Sequence, residues 1–356
     1  MLDVLRCPRT KCLLLLKSVE ERQRAEILAG ELMTTDHFGT VYPILKGVPD
    51  FTESADTTEK VQLLSSFGTE WPRFDDWGWI DQTPTEPDAA LRYFGGLLGH
   101  SQSAFHSKTQ LRPEDCDKDQ LVLDAGCGNS RFSNQAQLRG ARVIAMDASA
   151  AAHVAFNNFQ QRGIGTVGVV RGDMLCMPLA DGTFDYGFSI GVMRHTGEPG
   201  RSLGELSRSV RAGGTFSVNC YGKGLPSFEF IDPALRLVTT WLRRRDMVRF
   251  ANLLVAGDRF LRRGGGLPSR LEKFVRKHMC ILPTPHHMYD WYALKLADHY
   301  TPEQLNDWIA NLGAEVLAAS PPFHEPGYED SQRRRNHGSF QCLLKKPSVS
   351  DTGAGA

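Results

Sequence analysis

The chain has 356 residues, which is long for one domain and sufficient for a main domain with an appendage. Its 41 basic and 41 acidic residues cancel, so no overall electrostatic field attracts nucleic acid or a membrane surface. No aliphatic run is longer than 13–16, no signal peptide pattern opens the chain, and eight scattered cysteines indicate reduced thiols, so we expect a cytoplasmic protein without a transmembrane segment.

The first 52 residues are predicted to form a small β-rich domain. "CPRTKC" at 7–12 predicts a tight turn, and "CLLLLKS" and "AEILAGELMT" predict the two strands of a hairpin. "TVYPILKGVPDF" closes this unit. Residues 53–117 are predicted to be a linker with N-terminal helices, the first of them over 53–65.

From residue 120 the sequence alternates between strands and helices. "QLVLDAG", "RVIAMD", "TVGVVRGD", "FDYGFSI" and "TFSVNCY" are the predicted strands. Helices are predicted over 130–139, 149–162 and 201–211, the last ended by "AGG". Helices between short β-rich runs predict a parallel sheet covered on both faces, in which ligands bind at the carboxyl ends of the strands.

The alternation stops at residue 226. Residues 226–300 are predicted to be a helical insert, and 301–346 to complete the sheet with the helix "TPEQLNDWIANLG" and the strands "AEVLAAS" and "GSFQCLLKK". The tail, 347–356, is predicted to be disordered. We therefore predict an α/β fold: a seven-stranded doubly wound Rossmann-like sheet whose cofactor-binding core spans 118–225, with a β-rich N-terminal domain and a helical insert after strand five.

The glycine turn in "LVLDAGCGNSRF" indicates a ligand close to the backbone. A dinucleotide fold has the pattern G-x-G-x-x-G, but the third glycine position is Arg131 here. The G-x-x-x-x-G-K-[ST] pattern of a phosphate-binding P-loop is absent from the sequence. The turn therefore favours a ligand without a pyrophosphate.

Three acidic residues stand at the ends of three successive predicted strands. Asp147, about twenty residues after the turn, can accept hydrogen bonds from both hydroxyls of a ribose. Asp173 can accept from an adenine amine while Met174 contacts the ring, and Asp124 can order the turn or bind an ammonium group. This pattern suits a nucleoside that carries a positive charge.

The order of these motifs resembles the S-adenosylmethionine-dependent methyltransferases of the Rossmann-like class (class I, type 11-like). "LDAGCGNSRF", "VIAMDAS", "GDMLCMPLADGTFD", "DYGFSIGVMRHT" and "VRAGGTFSVNCY" carry the resemblance. It implies S-adenosylmethionine as the cofactor, with Asp124, Gly126 and Gly128 around its methionine moiety, Asp147 at the ribose, and Asp173 with Met174 at the adenine. The full set of predicted cofactor-binding residues is Asp124, Gly126, Cys127, Gly128, Asp147, Ala148, Asp173, Met174, Ile190, Phe67 and Trp71.

Two positions depart from the family pattern. Ser130 stands where many members have glycine, and a small side chain still fits there. Arg194 stands where a smaller or aromatic residue is common, which alters the predicted acceptor pocket. Cys127 is expected to be only a small residue of the turn, and Asp185 a polar contact at a strand start.

His195 is the predicted catalytic residue. Methyl transfer from a sulfonium depends mainly on alignment of acceptor, methyl and sulfur, and a base is needed only if the acceptor must lose a proton. His195 follows the fourth strand, so we expect its imidazole near the methyl group. The alternative is that it stabilises a turn or contacts the cofactor.

The insert is rich in basic and aromatic residues. Between 236 and 277 there are twelve Lys or Arg and three acidic residues, which suggests an anionic acceptor, a carrier protein or a lipid headgroup, or simply solvated helix faces. "TPHHMYDWYALKLADHYTP" at 284–302 suits an aromatic pocket lid or a core of the insert itself. Nucleic acid is not expected, because no stacking motif accompanies the basic residues.

The N-terminal unit resembles a second family. "LDVLRCPRTKCLLLL" and "VYPILKGVPDF" are similar to small zinc-ribbon proteins that activate methyltransferases. The second cysteine pair of those proteins would fall near Thr35 and Phe38, so Cys7, Cys12 and His37 give at most three of the four ligands of a closed zinc site, and we expect no metal.

A further segment, "FGTEWPRFDDW" at 67–77, resembles one found between ribbon and methyltransferase in fused proteins. Its Phe67 and Trp71 are expected either to close over the cofactor or to pack between the domains.

The sequence as a whole predicts a methyltransferase that acts on a small-molecule acceptor, with an anionic or carrier-bound acceptor suggested by the insert. The alternatives are an RNA or protein methyltransferase and a catalytically silent partner that binds the cofactor. "SIGVMRHT" stands where amino-group methylases have N-P-P-Y or D-P-P-Y, which counts against the first alternative. A dehydrogenase is disfavoured by Arg131. The oligomeric state is not predicted.

Overall fold

The computed structural model describes most of the chain. The described residues are 1–23, 26–52, 64–65, 67–68, 71–72, 75, 78–79, 97–111, 119–165, 167–263, 267–279, 285–294, 296–325 and 339–348. Most of the predicted linker helix at 53–65 and of the predicted tail at 347–356 lies outside them. Across the described part of the chain, no helix combines the length and apolar character needed to cross a bilayer.

The secondary structure follows the predicted order of elements. The strands are β1 (Leu14–Gln23), β2 (Glu26–Thr34), β3 (Val41–Leu45), β4 (Val48–Pro49), β5 (Leu121–Ala125), β6 (Arg142–Asp147), β7 (Val167–Arg171), β8 (Phe184–Ile190), β9 (Val210–Tyr221), β10 (Glu315–Ser320) and β11 (Ser339–Lys345). The helices are α1 (Leu97–Thr109), α2 (Arg131–Gln137), α3 (Ala151–Gln161), α4 (Pro199–Ser209), α5 (Pro226–Thr239), α6 (Arg244–Arg263), α7 (Leu267–His278), α8 (Pro285–Tyr292) and α9 (Pro302–Asn311). A short 3-10 helix, Met193–His195, follows β8.

The main sheet has seven strands in the order β10-β11-β9-β8-β5-β6-β7. Strand β11 runs antiparallel to both of its neighbours, while β5 to β9 are parallel. The carboxyl ends of these parallel strands therefore meet at one edge, on either side of β5 where the strand order reverses. The predicted doubly wound Rossmann-like sheet is confirmed, as is the predicted pair of closing strands.

Helices cover both faces of this sheet because its strands are apolar on both sides. Phe105 of α1 and Phe132 of α2 pack with Val122, Val143 and Phe188 on one face. A second cluster on the opposite face is formed by α4, α9 and the strands between them; its members include Leu123, Ile144, Leu206, Val218, Leu305, Ile309 and Leu344. Helix α9 begins with a capping box between Thr301 and Gln304.

The N-terminal unit is an antiparallel sheet in the order β1-β2-β3-β4, which confirms the predicted hairpin. It lies against the β7 edge of the main sheet. The Phe51 N–H donates to the Arg171 carbonyl at 2.8 Å, and the Arg171 guanidinium donates to Asp50 Oδ2 at 2.8 Å. Leu5 forms an antiparallel bridge with Leu179, and the apolar residues of both units share one cluster.

The insert consists of α5 to α8 and has a core of its own. Met247, Ala251 and Val255 of α6 pack with Trp291 and Tyr292 of α8. The described aromatic residues of the 284–302 cluster are thus buried, as one of the two sequence interpretations required. The side chains of His286 and His287 lie outside the description.

Three predicted helix boundaries were wrong. The helix predicted over 201–211 is α4, which ends at Ser209, and the "AGG" turn lies inside β9, because Val210 already pairs with Phe184 and a register shift follows. The helix predicted from 149 begins at Ala151, because the Ser149 hydroxyl accepts a hydrogen bond from the Ala151 N–H. The helix predicted over 130–139 begins at Arg131, since Ser130 has a φ of 66°.

Candidate active site

The glycine turn after β5 is bonded to the end of β6. The N–H groups of Gly126 and Cys127 both donate to the Met146 carbonyl, at 2.8 and 2.9 Å. The Gly128 N–H donates to Asp147 Oδ2 at 3.0 Å. Phosphate-binding turns present such N–H groups to the phosphate, whereas here all three are used within the protein. This geometry agrees with the sequence argument against a pyrophosphate ligand.

Glycine is required at two positions of this turn because side chains approach its backbone. Gly126 has a φ of 89°, and a Cβ atom there would lie 2.2 Å from a methyl carbon of Val192. Gly128 has a φ of 54°, and a Cβ atom there would lie 2.7 Å from the Trp71 ring. Trp71, predicted to lie near the cofactor, is therefore in contact with the turn.

Asp147 and Asp173 lie half-buried at neighbouring strand ends. Besides the Gly128 N–H, Asp147 accepts hydrogen bonds from the Ser149 N–H and hydroxyl, at 2.8 and 2.7 Å. Asp173 accepts from the Leu175 N–H at 2.8 Å. Each carboxylate is oriented by backbone donors and still reaches the surface, which fits the acceptors that a nucleoside's hydroxyl and amino groups need.

Asp124 differs from these two acids because it is fully buried. Its Oδ2 accepts a 2.6 Å hydrogen bond from the Ser133 hydroxyl of α2. Burial, aided by the negative charge of Asp147, raises the pKa of Asp124 to about 7. Asp124 therefore ties the turn to α2 and titrates close to neutral pH.

Cys127 has the environment of a small structural residue. Its side chain is buried, and burial with the nearby Asp147 and Asp124 charges holds the pKa of the thiol well above its usual value. A thiol in that state is a poor nucleophile.

The other predicted cofactor residues surround the same strand ends. The Ala148 carbonyl accepts from Arg171 Nε at 3.3 Å, and the buried Met174 lies with its sulfur 3.7 Å from the Ser189 hydroxyl. Ile190 is the last residue of β8. The Phe67 ring packs edge-on against the His195 ring, with centroids 5.3 Å apart.

His195 lies in the short 3-10 helix after β8 and is fixed as a neutral imidazole. Its Nδ1 is 2.7 Å from the Leu296 carbonyl oxygen, which can only accept, so Nδ1 carries the proton. The second ring nitrogen, Nε2, then carries the lone pair. Burial, with the positive charge of Arg194 as a second cause, holds the pKa of His195 well below its usual value.

A chain of polar side chains continues from Arg194 toward the insert. Arg194 is buried between the rings of Tyr221 and Trp291, 4.4 Å from each centroid, and donates to His299 Nε2 at 3.2 Å. His299 Nδ1 lies 3.2 Å from Glu229 Oε2. Burial raises the pKa of Glu229, but the hydrogen bonds from His299 and the Gly224 N–H outweigh it and hold this pKa below its usual value.

A buried ion pair on α5, next to this chain, was not anticipated from the sequence. Asp232 accepts from Trp291 Nε1 at 2.6 Å and from Arg236 Nε at 2.8 Å. Arg236 also donates to the Leu294 carbonyl at 3.1 Å. A signal was present, because Glu229, Asp232 and Arg236 repeat at helical spacing between apolar residues. The sequence reasoning had counted Arg236 only among the basic residues of the insert.

Two further positions can be compared with their expectations. Asp185, at the start of β8, accepts from the Leu121 N–H at 2.8 Å and pairs with Arg211, so the predicted structural role agrees with its contacts.

In the N-terminal sheet, the described residues contain no group of three or more His, Cys, Asp or Glu side chains placed to hold a metal ion. The resemblance of this unit to zinc-ribbon activators remains a prediction.

Comparison with known proteins matches the central part of the chain to a family. A family described as "Methyltransferase domain" matches residues 123–218, the segment that contains the glycine turn and the carboxyl ends of β5 to β8. The match confirms, for this domain, the predicted class of S-adenosylmethionine-dependent methyltransferase and S-adenosylmethionine as its cofactor.

Individual proteins resemble the same region. A malonyl-[acyl-carrier protein] O-methyltransferase of Pseudescherichia vulneris is 28% identical over 142 residues, which cover 37% of this chain and 55% of the relative. A demethylmenaquinone methyltransferase of Thermobifida fusca is 37% identical over 133 residues, covering 36% and 55%. The crystal structure of geranyl diphosphate C-methyltransferase from Streptomyces coelicolor A3(2) has a TM-score of 0.49 at 12% identity, covering 82% and 100%. The chain spans about half the length of the curated relatives it matches.

Proposed function

We propose that the protein transfers a methyl group from S-adenosylmethionine to a small-molecule acceptor, with His195 as the base that receives the acceptor's proton. When bound, the cofactor supplies a methyl group already activated on sulfur. The protein then has to hold the acceptor in line and, for an acceptor that must lose a proton, to accept that proton.

The state of His195 carries this proposal. The Leu296 carbonyl fixes the proton on Nδ1, so Nε2 is the nitrogen that can accept a proton. The depressed pKa keeps the ring unprotonated at neutral pH. A base that is neutral and oriented before the acceptor binds can take a proton at Nε2 without reorganising.

The cofactor contacts follow the sequence resemblance. We propose that Asp147 holds the ribose hydroxyls, that Asp173 and Met174 hold the adenine, and that Asp124 and the glycine turn surround the methionine moiety. The contacts of Trp71 with Gly128 and of Phe67 with His195 support a role for both rings in closing this crevice.

For the acceptor we propose an anionic or carrier-bound molecule. Arg194 lies beside His195, held between two aromatic rings and bonded to the Ala297 carbonyl at 3.1 Å. An arginine with a fixed guanidinium is suited to a carboxylate or phosphate. The relatives named as malonyl-[acyl-carrier protein] methyltransferases are consistent with this chemistry.

Two substitutions separate cofactor binding from transfer. We expect Asp147→Ala to weaken S-adenosylmethionine binding by about 100-fold, because three donors and the ribose lose their acceptor. We expect His195→Ala to lower kcat by about 100-fold or more while the cofactor Kd changes little. Calorimetry measures the first, and transfer of a labelled methyl group from the cofactor to a cell extract, followed by identification of the product, measures the second.

Asp185→Ala is the matched control, since it removes an acid from the opposite end of the sheet. It should leave the cofactor Kd unchanged. Unaltered affinity in Asp147→Ala would remove the assignment of the ribose site. Full transfer activity in His195→Ala would remove the assignment of the base.

A further inference from the structure

Helix α5 is amphipathic in the opposite sense to an ordinary surface helix. Its charged residues point inward, because Glu229 bonds to His299 and Asp232 pairs with Arg236 beneath Trp291. Its outward face is apolar. The exposed fractions on that face are 77% for Phe230, 70% for Leu237, 65% for Val238 and 81% for Trp241 in the turn that follows.

These four residues, with Ala234, recur at the spacing of one helical face and define what we call the outer face of α5. None of these five side chains is charged. A surface helix normally places its polar side outward, and a continuous exposed apolar strip indicates a site of contact with another surface.

Arginines follow this apolar face immediately. Arg243 is exposed in the turn that follows α5, Arg245 is exposed at the start of α6, and Arg249 is exposed one turn into α6. Asp246 Oδ1 lies 3.3 Å from Arg249 and 3.8 Å from Arg245, so these two arginines share one carboxylate. Because the whole chain has equal numbers of basic and acidic residues, this excess of positive charge is local to the insert.

We propose that the outer face of α5 and the adjoining arginines dock the protein on an anionic lipid bilayer. Interfacial helices insert an apolar face to the depth of the headgroups and place Lys or Arg where phosphates lie. Trp241 stands between the apolar residues and the arginines, the position that tryptophan prefers at a membrane interface. Docking is peripheral, with α5 parallel to the membrane and its inner face toward His299 and Arg194.

The charge pattern selects this partner over a second copy of the chain. A two-fold contact through the same face would bury the apolar residues, but the outer face of a second copy carries no acidic side chain to pair with the arginines. An anionic bilayer instead supplies both an apolar layer and negative charge. Local attraction of this kind needs no net positive charge on the whole protein.

Vesicle binding by the full-length protein tests the proposal. Flotation is measured with phosphatidylcholine vesicles and with vesicles containing about 30% phosphatidylglycerol, at several salt concentrations. We expect binding to the anionic vesicles, weaker binding to the neutral ones, and loss of binding as salt is raised. The Phe230→Glu/Leu237→Glu double variant should bind at least about tenfold more weakly, and Arg243→Gln/Arg245→Gln about fivefold more weakly for each arginine removed.

Leu138→Glu is the matched control, because Leu138 is an exposed apolar residue at the end of α2, outside the insert. It should bind as the unsubstituted protein does. Circular dichroism and thermal melting establish that each variant folds, and Leu237→Ser replaces the double variant if that one does not. Brominated lipids should quench tryptophan fluorescence in the unsubstituted protein and less so in Trp241→Phe.

Two results would overturn the proposal. One is equal vesicle binding by the double variant and by Leu138→Glu. The other is an absence of binding to the anionic vesicles. Self-association in sedimentation velocity that the double variant abolishes would then assign the face to a contact between two copies of the chain. The assay contains neither cofactor nor acceptor, so its outcome is independent of methyl transfer.

Discussion

The main sheet and the helical insert distribute their polar residues in opposite ways. In the sheet, apolar residues fill both layers and the acids stand at strand ends, where Asp147 and Asp173 reach the surface. In the insert, Asp232 and Arg236 are buried inside and the outer face of α5 is apolar. The proposed cofactor site therefore uses polar groups at one edge of the sheet, whereas the proposed membrane contact uses the apolar side of a helix.

This difference explains why roles could be predicted from the sequence of the sheet more readily than from the sequence of the insert. A parallel sheet can bind ligands only at its carboxyl edge, so an acid at a strand end has a short list of roles. A helix in an insert can direct either face inward. Its role follows from its neighbours, which the local sequence does not name.

The largest expected effect concerns the ion pair inside the insert. Asp232→Ala leaves Arg236 buried without its carboxylate, so we expect the free energy of unfolding to fall by about 3–5 kcal/mol. Asp246→Ala breaks the comparable but exposed pair with Arg249 and should cost less than about 1 kcal/mol. Urea denaturation of both variants measures the difference, and equal losses would contradict the inward orientation of the charges on α5.

The next effect concerns the glycine turn of the main sheet. Gly126→Ala forces a Cβ atom against Val192 in addition to straining a positive φ, and we expect a loss of about 3 kcal/mol. Gly163→Ala also has a positive φ but open space around it, so about 1–2 kcal/mol is expected. Adding Val192→Ala to the Gly126 variant should recover part of its loss, and no recovery would contradict the close contact.

The smallest effect is a pH dependence from Asp124. Its folded pKa of about 7 lies above the ordinary value of 3.8, so in the unliganded protein Asp124 contributes stability that is present at low pH and lost as the pH rises through 7. A ligand that carries an ammonium group favours the ionised form. Binding of S-adenosylmethionine below pH 7 should then release a proton, and affinity should rise by up to about tenfold per pH unit.

Calorimetry in buffers of different ionisation enthalpy counts the protons released. Asp124→Asn cannot ionise and should flatten the pH dependence without abolishing the fold, because the amide oxygen can still accept from Ser133. Proton uptake on binding, or the same pH dependence in Asp124→Asn, would place the titrating group elsewhere.

Much of the fold could be predicted because its elements carry local signals. Short apolar runs predicted the strands of the main sheet, and Thr301 and Pro302 indicated the start of α9. The start of α3 and the end of α4 were missed because side-chain bonding and strand pairing, rather than propensity, decide those two boundaries. Ser130 has a left-handed φ that no local rule assigns to serine.

The acids of the candidate site could be proposed from the sequence, whereas their surroundings could not. Asp124, Asp147 and Asp173 stand at fixed offsets from predicted strands, but the burial that raises the pKa of Asp124 depends on Ser133 and α2. The proton position on His195 depends on the Leu296 carbonyl, 101 residues further along the chain. Such long-range partners leave no mark near the residue they control.

The contact between the N-terminal sheet and β7 has a consequence for anyone who shortens this protein. Strand β7 is an edge strand of the main sheet, and Asp50 and Phe51 cover its backbone near Arg171. Deleting the first 52 residues would expose the edge of β7 together with the apolar surface around Val170 and Leu179. An exposed strand edge beside apolar surface promotes aggregation. A trimmed catalytic fragment should therefore precipitate, however intact its cofactor crevice.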